Sequence, residues 1–308
     1  MSSAMRSCAR AVSSKRTNPR YFSSTTPQHA CHVPHVLNNV ELSAMATHVR
    51  GHVIRMAGLG GCFIGSALSC TDILVHLYAR VMRGACTSDP DRDRFILSKG
   101  HAVPALYGVL VELGHLQASR LEAHLSADED DIYWHPNAAL PGVEIHTGSL
   151  GHGLALAAGI ALDLKLRGSP GNVYCMVGDG ELNEGSVWEA ILVASARKLD
   201  NLCVIVDRNG FQANSSTEQL VPLEPLADKF RAFGCNVKLG DGHDFADLDD
   251  ALVLAPENDR PTVLIAKTIR GRGISRIEND WDKWFIELDD AGVAEALRDL
   301  HARAVGAA

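Results

Sequence analysis

Two short apolar runs, separated by a helical pattern, constrain the fold of this chain more than any other feature of its sequence. The first run spans residues 173–177 and the second spans residues 202–206. Each run is short, partly β-branched and bounded by turn residues, which is typical of a buried strand. A helix of about 15 residues between two such strands makes a right-handed crossover between parallel strands. We therefore predict an α/β fold in which a parallel sheet has helices on both faces.

A polar turn follows each of these predicted strands. Gly178, Asp179 and Gly180 come directly after the first strand. The second strand ends in Asn209. Because open α/β sheets hold their ligands at the carboxyl ends of the strands, we expect Asp179 and Asn209 to meet at one edge of the sheet.

The side chains of this pair offer oxygen ligands. A carboxylate from Asp179, an amide oxygen from Asn209, one backbone carbonyl and two phosphate oxygens would suit the near-octahedral shell of Mg²⁺. Gly178 and Gly180 would let a phosphate approach the backbone, and the N-terminus of the following helix would favour an anion. Either turn alone is more often a simple strand-end turn. The two polar residues stand 30 positions apart on matching strand ends, so together they predict a metal-bridged diphosphate.

Composition excludes several classes of protein. The 308 residues allow one large domain or two ordinary ones, and 46% hydrophobic residues are enough for a core. A formal net charge of −8 without a basic block in the body argues against a nucleic-acid surface. No apolar run is long enough to cross a bilayer. The 8 cysteines show no C-x-x-C spacing, which argues against a zinc site or a disulfide framework and favours a reducing compartment.

Residues 1–40 differ in character from the rest of the chain. They contain no Asp or Glu, many Ser and Thr, and the five basic residues Arg6, Arg10, Lys15, Arg16 and Arg20. This composition resembles a mitochondrial transit peptide, and residues 20–23 resemble a processing site. A disordered tail or a wrongly assigned start codon is the alternative. We therefore separate residues 1–40 from a domain at 41–308, and expect the mitochondrial matrix if the segment is a transit peptide and the cytoplasm otherwise.

Other patterns predict the remaining elements. Apolar residues from Leu42 to Val53 recur at helical spacing, and the glycine-rich residues 58–61 end that helix. Ser69 and Asp72 have the spacing of a capping box before a further helix. Additional helices are predicted at 102–113, 153–166, 245–252 and 288–302, and additional strands at 235–239 and 261–268.

Several separate motifs occur in the order found in one known family. They are residues 93–101 (DRFILSKGH), 147–153 (TGSLGHG), 178–180 (GDG) and 201–209 (NLCVIVDRN). Together they resemble the transketolases, and the chain as a whole resembles the amino-terminal subunit of a split transketolase over roughly residues 41–288. The resemblance implies the thiamin-diphosphate-binding fold, in its diphosphate-binding (PP-type) form, with thiamin diphosphate and Mg²⁺ as cofactors.

The resemblance also implies roles for individual residues. The metal would be held by Asp179, Asn209 and the backbone carbonyl of Phe211. Cofactor-binding positions in the family correspond to His101, Gly148, Ser149, Leu150, Gly178, Asp179, Gly180, Glu184 and Asn209. Glu184 and Glu189 would belong to an acidic network at a dimer interface, although carboxylates near a helix N-terminus are favourable in any case.

Two histidines match family positions at the reaction centre. His101 would contact the cofactor diphosphate and move protons, and His135 would contact the first hydroxyl of the donor. For either one, the alternative is a buried histidine with a purely structural role.

Two phenylalanines depart from the family pattern. Cys62 and Phe63 stand where the family usually has Gly-His, and Phe285 stands where it has a second His. A Phe cannot donate a hydrogen bond to a sugar hydroxyl. The departures therefore suggest an acceptor pocket reshaped for a less polar acceptor or a deoxy or non-phosphorylated sugar.

No part of the sequence matches the pyrimidine-binding domain, which in the family supplies the carboxylate that activates the cofactor. We therefore expect a partner chain that carries this domain, in an α₂β₂ assembly. The expected reaction is the transfer of a two-carbon ketol unit from a ketose donor to an aldehyde acceptor, with sugars or sugar phosphates as substrates. One alternative is a regulatory paralogue that binds the cofactor without catalysis. A decarboxylating dehydrogenase subunit is a weaker rival, because those chains do not usually carry the 98–101 and 147–153 motifs in this form.

Overall fold

The central sheet consists of five parallel strands. The computed structural model describes residues 37–125, 132–252, 254 and 259–306. Its strands are β1 (Arg94–Leu97), β2 (Val173–Gly178), β3 (Leu202–Arg208), β4 (Phe211–Gln212), β5 (Ser215–Ser216), β6 (Asn236–Asp241) and β7 (Thr262–Lys267). The strand order in the sheet is β1-β2-β3-β7-β6. Strands β4 and β5 form a separate antiparallel hairpin. The four strands predicted from the sequence are confirmed as β2, β3, β6 and β7.

The predicted helices are present to within a few residues at most ends, and the structure adds three short helices that were not predicted, at Ile64–Ser69, Thr217–Leu220 and Leu226–Ala232. The helices are α1 (Asn39–Ala57), α2 (Ile64–Ser69), α3 (Thr71–His76), α4 (Val103–Glu112), α5 (Gly153–Leu166), α6 (Gly185–Ala196), α7 (Thr217–Leu220), α8 (Leu226–Ala232), α9 (Phe245–Ala251) and α10 (Asp290–Gly306). Helix α1 begins with a capping box formed by Asn38 and Glu41, and Gly58 caps its end. Among the described helices, none has the length and apolarity needed to cross a membrane.

Alternate side chains of the central strands pack into two separate cores. On β2, Tyr174 and Met176 belong to the core shared with α1 to α4. Val173, Cys175 and Val177 belong to the core shared with α5, α6 and α8. Because both faces of the sheet are covered, the strands are apolar on both sides, as their sequences indicate. The predicted α/β fold with helices on both faces is confirmed.

The register of β2 and β3 places their carboxyl ends side by side. Gly178 pairs with Asp207 in the parallel ladder. Asp179 and Asn209 therefore follow the last pairs of two neighbouring strands. Helix α6 connects the two strands, so the crossover predicted from the sequence is present.

Two local predictions need correction. Ser69 does not cap α3: it ends α2, and its Oγ donates to the carboxylate of Asp207 at 2.6 Å. Asp72 instead pairs with Arg50, because a buried carboxylate needs a charged partner more than a helix needs a cap. The α-helix after Gly180 begins only at Gly185, after a 3₁₀ turn at Gly180–Asn183, so the N-terminus of α6 is not at the Gly-Asp-Gly turn.

The predicted boundary near residue 40 stays a prediction. Helix α1 begins at Asn39, two residues before the predicted start of the domain. Residues 1–36, which carry the transit-peptide pattern, lie outside the described residues.

Candidate functional site

Asp179 lies beside the turn that contains Asn209, at the carboxyl edge of the sheet. The backbone N–H of Gly210 donates to Oδ2 of Asp179 at 2.6 Å. Oδ1 accepts the N–H of Gly180 at 2.9 Å, and Oδ2 also accepts the guanidinium of Arg208 at 3.2 Å. A carboxylate has roughly four acceptor positions, so three are in use and one is left for a cation.

Asn209 presents its amide oxygen to the same turn. Its Nδ2 donates to Asp207 at 3.1 Å, and its Oδ1 accepts the N–H of Phe211 at 3.1 Å. These partners fix the orientation of the amide and leave Oδ1 with one unused lone pair. Phe211, whose carbonyl is the third predicted metal ligand, begins strand β4.

A buried ion pair between Lys99 and Asp207 lies beneath this turn. Ser69 and Thr268 also donate to Asp207. Burial alone would raise the pKa of Asp207, but the adjacent Lys99 ammonium holds it below its usual range. Asp207 therefore stays charged. Burial, followed by the charge of Asp207, raises the pKa of Asp179 to about 6.

His101 is held as a neutral imidazole at the start of α4. Its Nε2 lies 2.9 Å from Oγ of Ser66. Burial, followed by the positive charge of Lys99, lowers the pKa of His101 to about 3. A neutral ring can donate at one nitrogen and accept at the other, so His101 can serve as a hydrogen-bonding group near neutral pH.

His135 packs directly on Gly148 of the 147–153 loop. A Cβ on Gly148 would lie 2.5 Å from Cδ2 of His135, and the backbone there has φ +146°. A Cβ on Gly100 would also lie 3.0 Å from the backbone nitrogen of Gly148. Two segments with predicted cofactor contacts therefore touch at Gly148, and only a glycine allows it. Burial lowers the pKa of His135.

The other predicted cofactor contacts are less enclosed. Ser149 is exposed and Leu150 is half-buried. Glu184 is exposed at the start of α6, and its side chain makes no capping hydrogen bond. Gly180 needs to be a glycine because a Cβ would lie 2.8 Å from Gln212, whereas a Cβ on Gly178 would make only ordinary contacts. The packing of β4 therefore requires a glycine at position 180, and the predicted phosphate contacts of Gly178 and Gly180 stay predictions.

Arg270 is a site residue that the sequence analysis missed. It is 3% exposed, and its Cζ lies 5.1 Å from the centre of the Phe211 ring. Nη1 donates to the carbonyl of Ala213 at 2.6 Å, but Nε and Nη2 have no hydrogen-bond partner among the described residues. Arg270 directly precedes the turn at 271–273. A basic residue next to this turn is the feature of the sequence that could have indicated a phosphate contact. Two buried donors without partners suit the oxygens of a phosphate.

Aromatic side chains form a wall beside His101. The ring of Phe63 lies 5.4 Å from the His101 ring and 5.2 Å from both Trp284 and Phe285. Trp134 lies 5.8 Å from Phe285. Backbone pairing between Cys62 and Ile286 holds the two chain segments together. We call Phe63, Trp134, Trp284 and Phe285 the aromatic wall; the sequence singled out both Phe residues but did not predict that they touch.

The donor set of this edge fits a metal-bridged diphosphate. No group of three or more His, Cys, Asp or Glu side chains suited to a metal occurs in the described part of the chain. A cation would therefore depend on one carboxylate together with amide, carbonyl and phosphate oxygens, which are the ligands Mg²⁺ prefers. The partly unpaired guanidinium of Arg270 is the complementary group for the phosphate.

These features define a parallel α/β domain whose carboxyl edge carries a set of donors that fits a metal-bridged diphosphate. The family model described as "Transketolase, thiamine diphosphate binding domain" matches residues 53–302. The chain therefore belongs to the transketolase family, and the matched residues are its thiamin-diphosphate-binding domain.

Similar proteins include separate subunits of transketolases. One subunit of the apulose-4-phosphate transketolase of Actinobacillus succinogenes is 37% identical over 274 residues, covering 86% of this chain and 99% of that protein. The 6-deoxy-6-sulfo-D-fructose transketolase subunit SqwG of a Clostridium species is 35% identical, covering 85% of this chain and 96% of that protein. Relatives named as subunits imply a partner subunit.

Solved transketolases share the fold but are longer. The transketolase from Leishmania mexicana superposes with a TM-score of 0.77 at 26% identity, covering 87% of this chain and 42% of that chain. The Campylobacter jejuni enzyme gives 0.75 at 27% identity, covering 85% and 42%. The chain thus spans about two fifths of these enzymes. The comparisons confirm the predicted family, fold, cofactor and enzyme class, while the roles of single residues stay predictions.

Proposed function

We propose that this chain is the cofactor-binding subunit of a two-chain transketolase that moves a two-carbon ketol unit from a ketose to an aldehyde. The observation that carries the proposal is the arrangement at the sheet edge. Oxygen ligands of Asp179 and Asn209 lie on adjacent strand ends, and the half-paired Arg270 guanidinium lies over Phe211.

The residues at the sheet edge would divide the work of holding the cofactor. Asp179, Asn209 and the carbonyl of Phe211 would hold Mg²⁺, and Arg270 would pair with the diphosphate. Gly148, Ser149 and Leu150 would lie toward the aminopyrimidine end of the cofactor. When bound, thiamin diphosphate supplies the nucleophilic carbon that carries the two-carbon unit.

The two histidines would bind hydroxyls of the substrate by hydrogen bonds. His101 is neutral and its orientation is fixed by Ser66, so it would donate to or accept from a donor hydroxyl without a change in charge. His135 would fix a second hydroxyl from a ring that is packed against Gly148. Both rings are therefore oriented before the substrate arrives, which reduces the entropic part of the barrier.

The partner would be a chain with a pyrimidine-binding domain, and we propose an α₂β₂ assembly with a contact between two copies of this chain through α5 and α6. Leu156, Leu192 and Val193 on these helices are 49%, 55% and 52% exposed. A Cβ on Gly159 would meet nothing within 4 Å, so the surface there is open. An exposed apolar face of this kind is typical of a protein interface.

The substrate proposal rests on the aromatic wall. Trp134, Trp284 and Phe285 are each more than a third exposed, and Phe63 lies next to His101. Such rings offer C–H and π contacts but, apart from the indole N–H groups, no hydrogen-bond donors for a hydroxyl. We therefore propose an acceptor that is less polar than an ordinary sugar phosphate. The relatives named above carry the names of two different sugars, so family membership alone does not set the substrate.

The test begins with purification of the chain from its native source and identification of co-purifying proteins by mass spectrometry. Ketol transfer is then measured with both chains, thiamin diphosphate and Mg²⁺. We expect transfer only with both chains, its loss in Asp179→Asn, and its retention in Asp228→Asn, whose exposed carboxylate lies on α8 and pairs with Arg231. Cofactor binding without transfer at saturating partner would favour the regulatory paralogue, and no cofactor binding would refute the proposal.

The location in the cell is a separate proposal. Residues 1–40 carry the composition of a mitochondrial transit peptide. A fluorescent protein fused to the carboxyl end of residues 1–40 should accumulate in mitochondria. Fluorescence in the cytoplasm would refute a targeting role.

A further inference from the structure

Glu181 is a buried carboxylate in the 3₁₀ turn after β2, and the mechanism above does not use it. It is 3% exposed. Its Oε1 accepts the hydroxyl of Ser98 at 2.5 Å and the N–H of Gly151 at 2.8 Å. Its Oε2 accepts the N–H of Gly178 at 3.0 Å. One side chain thus receives three hydrogen bonds.

The three donors belong to three different parts of the chain. Ser98 follows β1 and stands three residues before His101. Gly151 lies in the 147–153 loop, and Gly178 ends β2, next to Asp179. Each of these segments carries predicted cofactor contacts. The mutual positions of all three therefore depend on one carboxylate.

The packing around Glu181 leaves little freedom for these segments. A Cβ on Gly153 would lie 2.5 Å from Oγ of Ser98, and a Cβ on Gly151 would lie 2.5 Å from Oγ of Ser186. The 147–153 loop therefore packs closely against Ser98 and Ser186, and the hydrogen bond from Gly151 to the Glu181 carboxylate fixes its position. An ionised carboxylate only accepts hydrogen bonds, whereas the amide of a Gln would turn one N–H group toward a donor.

We propose that Glu181 is a positioning residue that clamps the three cofactor-binding segments together. It touches no substrate and acts through Ser98, Gly151 and Gly178. The inference rests on the proposed function in that the three segments form the cofactor site.

Asp93 offers a matched control for this clamp. It is 1% exposed and lies at the amino end of the same sheet. Its carboxylate accepts the N–H groups of Arg83 and Asn172, both at 2.8 Å, together with the Arg83 guanidinium. Asp93→Asn therefore disturbs a buried carboxylate with two backbone donors, as Glu181→Gln does, but far from the predicted cofactor contacts.

The experiment compares the full chain, with its partner, in the wild-type, Glu181→Gln and Asp93→Asn forms. Melting temperature, thiamin diphosphate affinity with Mg²⁺ by calorimetry, and hydrogen exchange at the Gly151 and Gly178 amides are measured. We expect both variants to melt earlier, but only Glu181→Gln to weaken cofactor binding, by about tenfold or more, since hydrogen bonds to a charged group are the strong ones. The exchange of both amides should rise together in Glu181→Gln only.

Equal cofactor affinity in Glu181→Gln and the wild type, or faster exchange at only one of the two amides, would overturn the proposal. If Glu181→Gln does not fold, Ser98→Ala removes one donor and leaves both backbone bonds. We then expect a smaller loss of affinity, of about twofold to fivefold, and no loss would count against the clamp. A wild-type chain that binds no thiamin diphosphate would refute the proposed function, while the paired exchange would still decide whether Glu181 acts as a clamp.

Discussion

Arg270→Met should weaken cofactor binding without destabilising the cofactor-free protein. The Arg270 guanidinium is buried with two nitrogens that have no partner among the described residues. Burial lowers its pKa, and the nearby charges of Asp179, Asp280 and Asp207 offset that shift only in part. Met removes the charge and keeps most of the length of the side chain. Met cannot donate to the carbonyl of Ala213, but it also removes a buried charge that lacks partners. Because these two effects oppose each other, the free energy of unfolding should change by about 1 kcal/mol or less.

The effect on cofactor binding follows from the lost hydrogen bonds. A hydrogen bond between charged groups contributes about 1.5 to 3 kcal/mol, so Kd should rise by about 10- to 150-fold. At a cofactor concentration of about 100 times Kd, the wild type gains about 2.7 kcal/mol of stability. A variant that binds about 30-fold more weakly gains about 0.9 kcal/mol at the same concentration.

The assay is urea unfolding of the wild type and variant, with and without thiamin diphosphate and Mg²⁺. Arg50→Met is the control, because Arg50 is buried and fully paired with Asp72 and the carbonyl of Arg272. It should destabilise the cofactor-free protein by about 3 to 5 kcal/mol, since Asp72 loses its main partner. The reasoning is refuted if Arg270→Met is as destabilised as Arg50→Met without cofactor, or if the cofactor stabilises it as much as the wild type.

Three further predictions concern the groups around the reaction centre. Phe63→His should raise kcat/KM for a hydroxylated aldehyde relative to its alkyl counterpart by about tenfold. The two aldehydes are compared in competition, and an unchanged ratio of their kcat/KM values with the fold intact would contradict a role of the aromatic wall in specificity. Gly148→Ala should displace the ring of His135 and lower cofactor affinity by about tenfold or more, because the new Cβ would lie 2.5 Å from that ring. If calorimetry finds wild-type affinity in this variant, the 147–153 loop can move to accept the Cβ. The pKa of His101 is lowered to about 3 in the folded protein, whereas a histidine in the unfolded chain binds a proton near pH 6.5. The free energy of unfolding should therefore fall as the pH drops from 7 to 5, and it should fall less in His101→Gln. If urea unfolding shows the same dependence on pH in both proteins, His101 does not titrate as described.

The sequence predicts the sheet edge well because the signals there are local. Residues 173–177 and 202–206 are apolar on both faces, and each meets a polar turn where its strand ends. Parallel pairing then brings the two turns together with no further information. The alignment of Gly178 with Asp207 is the direct consequence of this arrangement.

The contacts that the sequence does not predict are long-range ones. Arg270 and Ala213 are 57 positions apart, and Glu181 and Ser98 are 83 positions apart. Ser69 fits a local capping pattern, but its hydroxyl donates to Asp207, 138 positions away. A buried carboxylate without donors costs more than a missing helix cap, so the distant partner prevails over the local one.

The site holds two charges that the protein compensates only in part, and together they favour a composite ligand. Burial and the charge of Asp207 raise the pKa of Asp179 to about 6, although Arg208 donates to it. Arg270, of opposite sign, keeps two donors without partners among the described residues. A cation bound alone would leave Arg270 unpaired, and a diphosphate bound alone would lie close to the charge of Asp179.

Mg²⁺ and a diphosphate should therefore bind cooperatively. Titration of the full chain with Mg²⁺ should show tighter binding in the presence of inorganic pyrophosphate, and pyrophosphate should bind tighter by the same factor in the presence of Mg²⁺, because such coupling is reciprocal. In Arg270→Met the factor should shrink, since the diphosphate then loses its protein partner and keeps only the metal. A Mg²⁺ affinity that does not respond to pyrophosphate would mean that the carboxylate and the guanidinium do not act on one ligand.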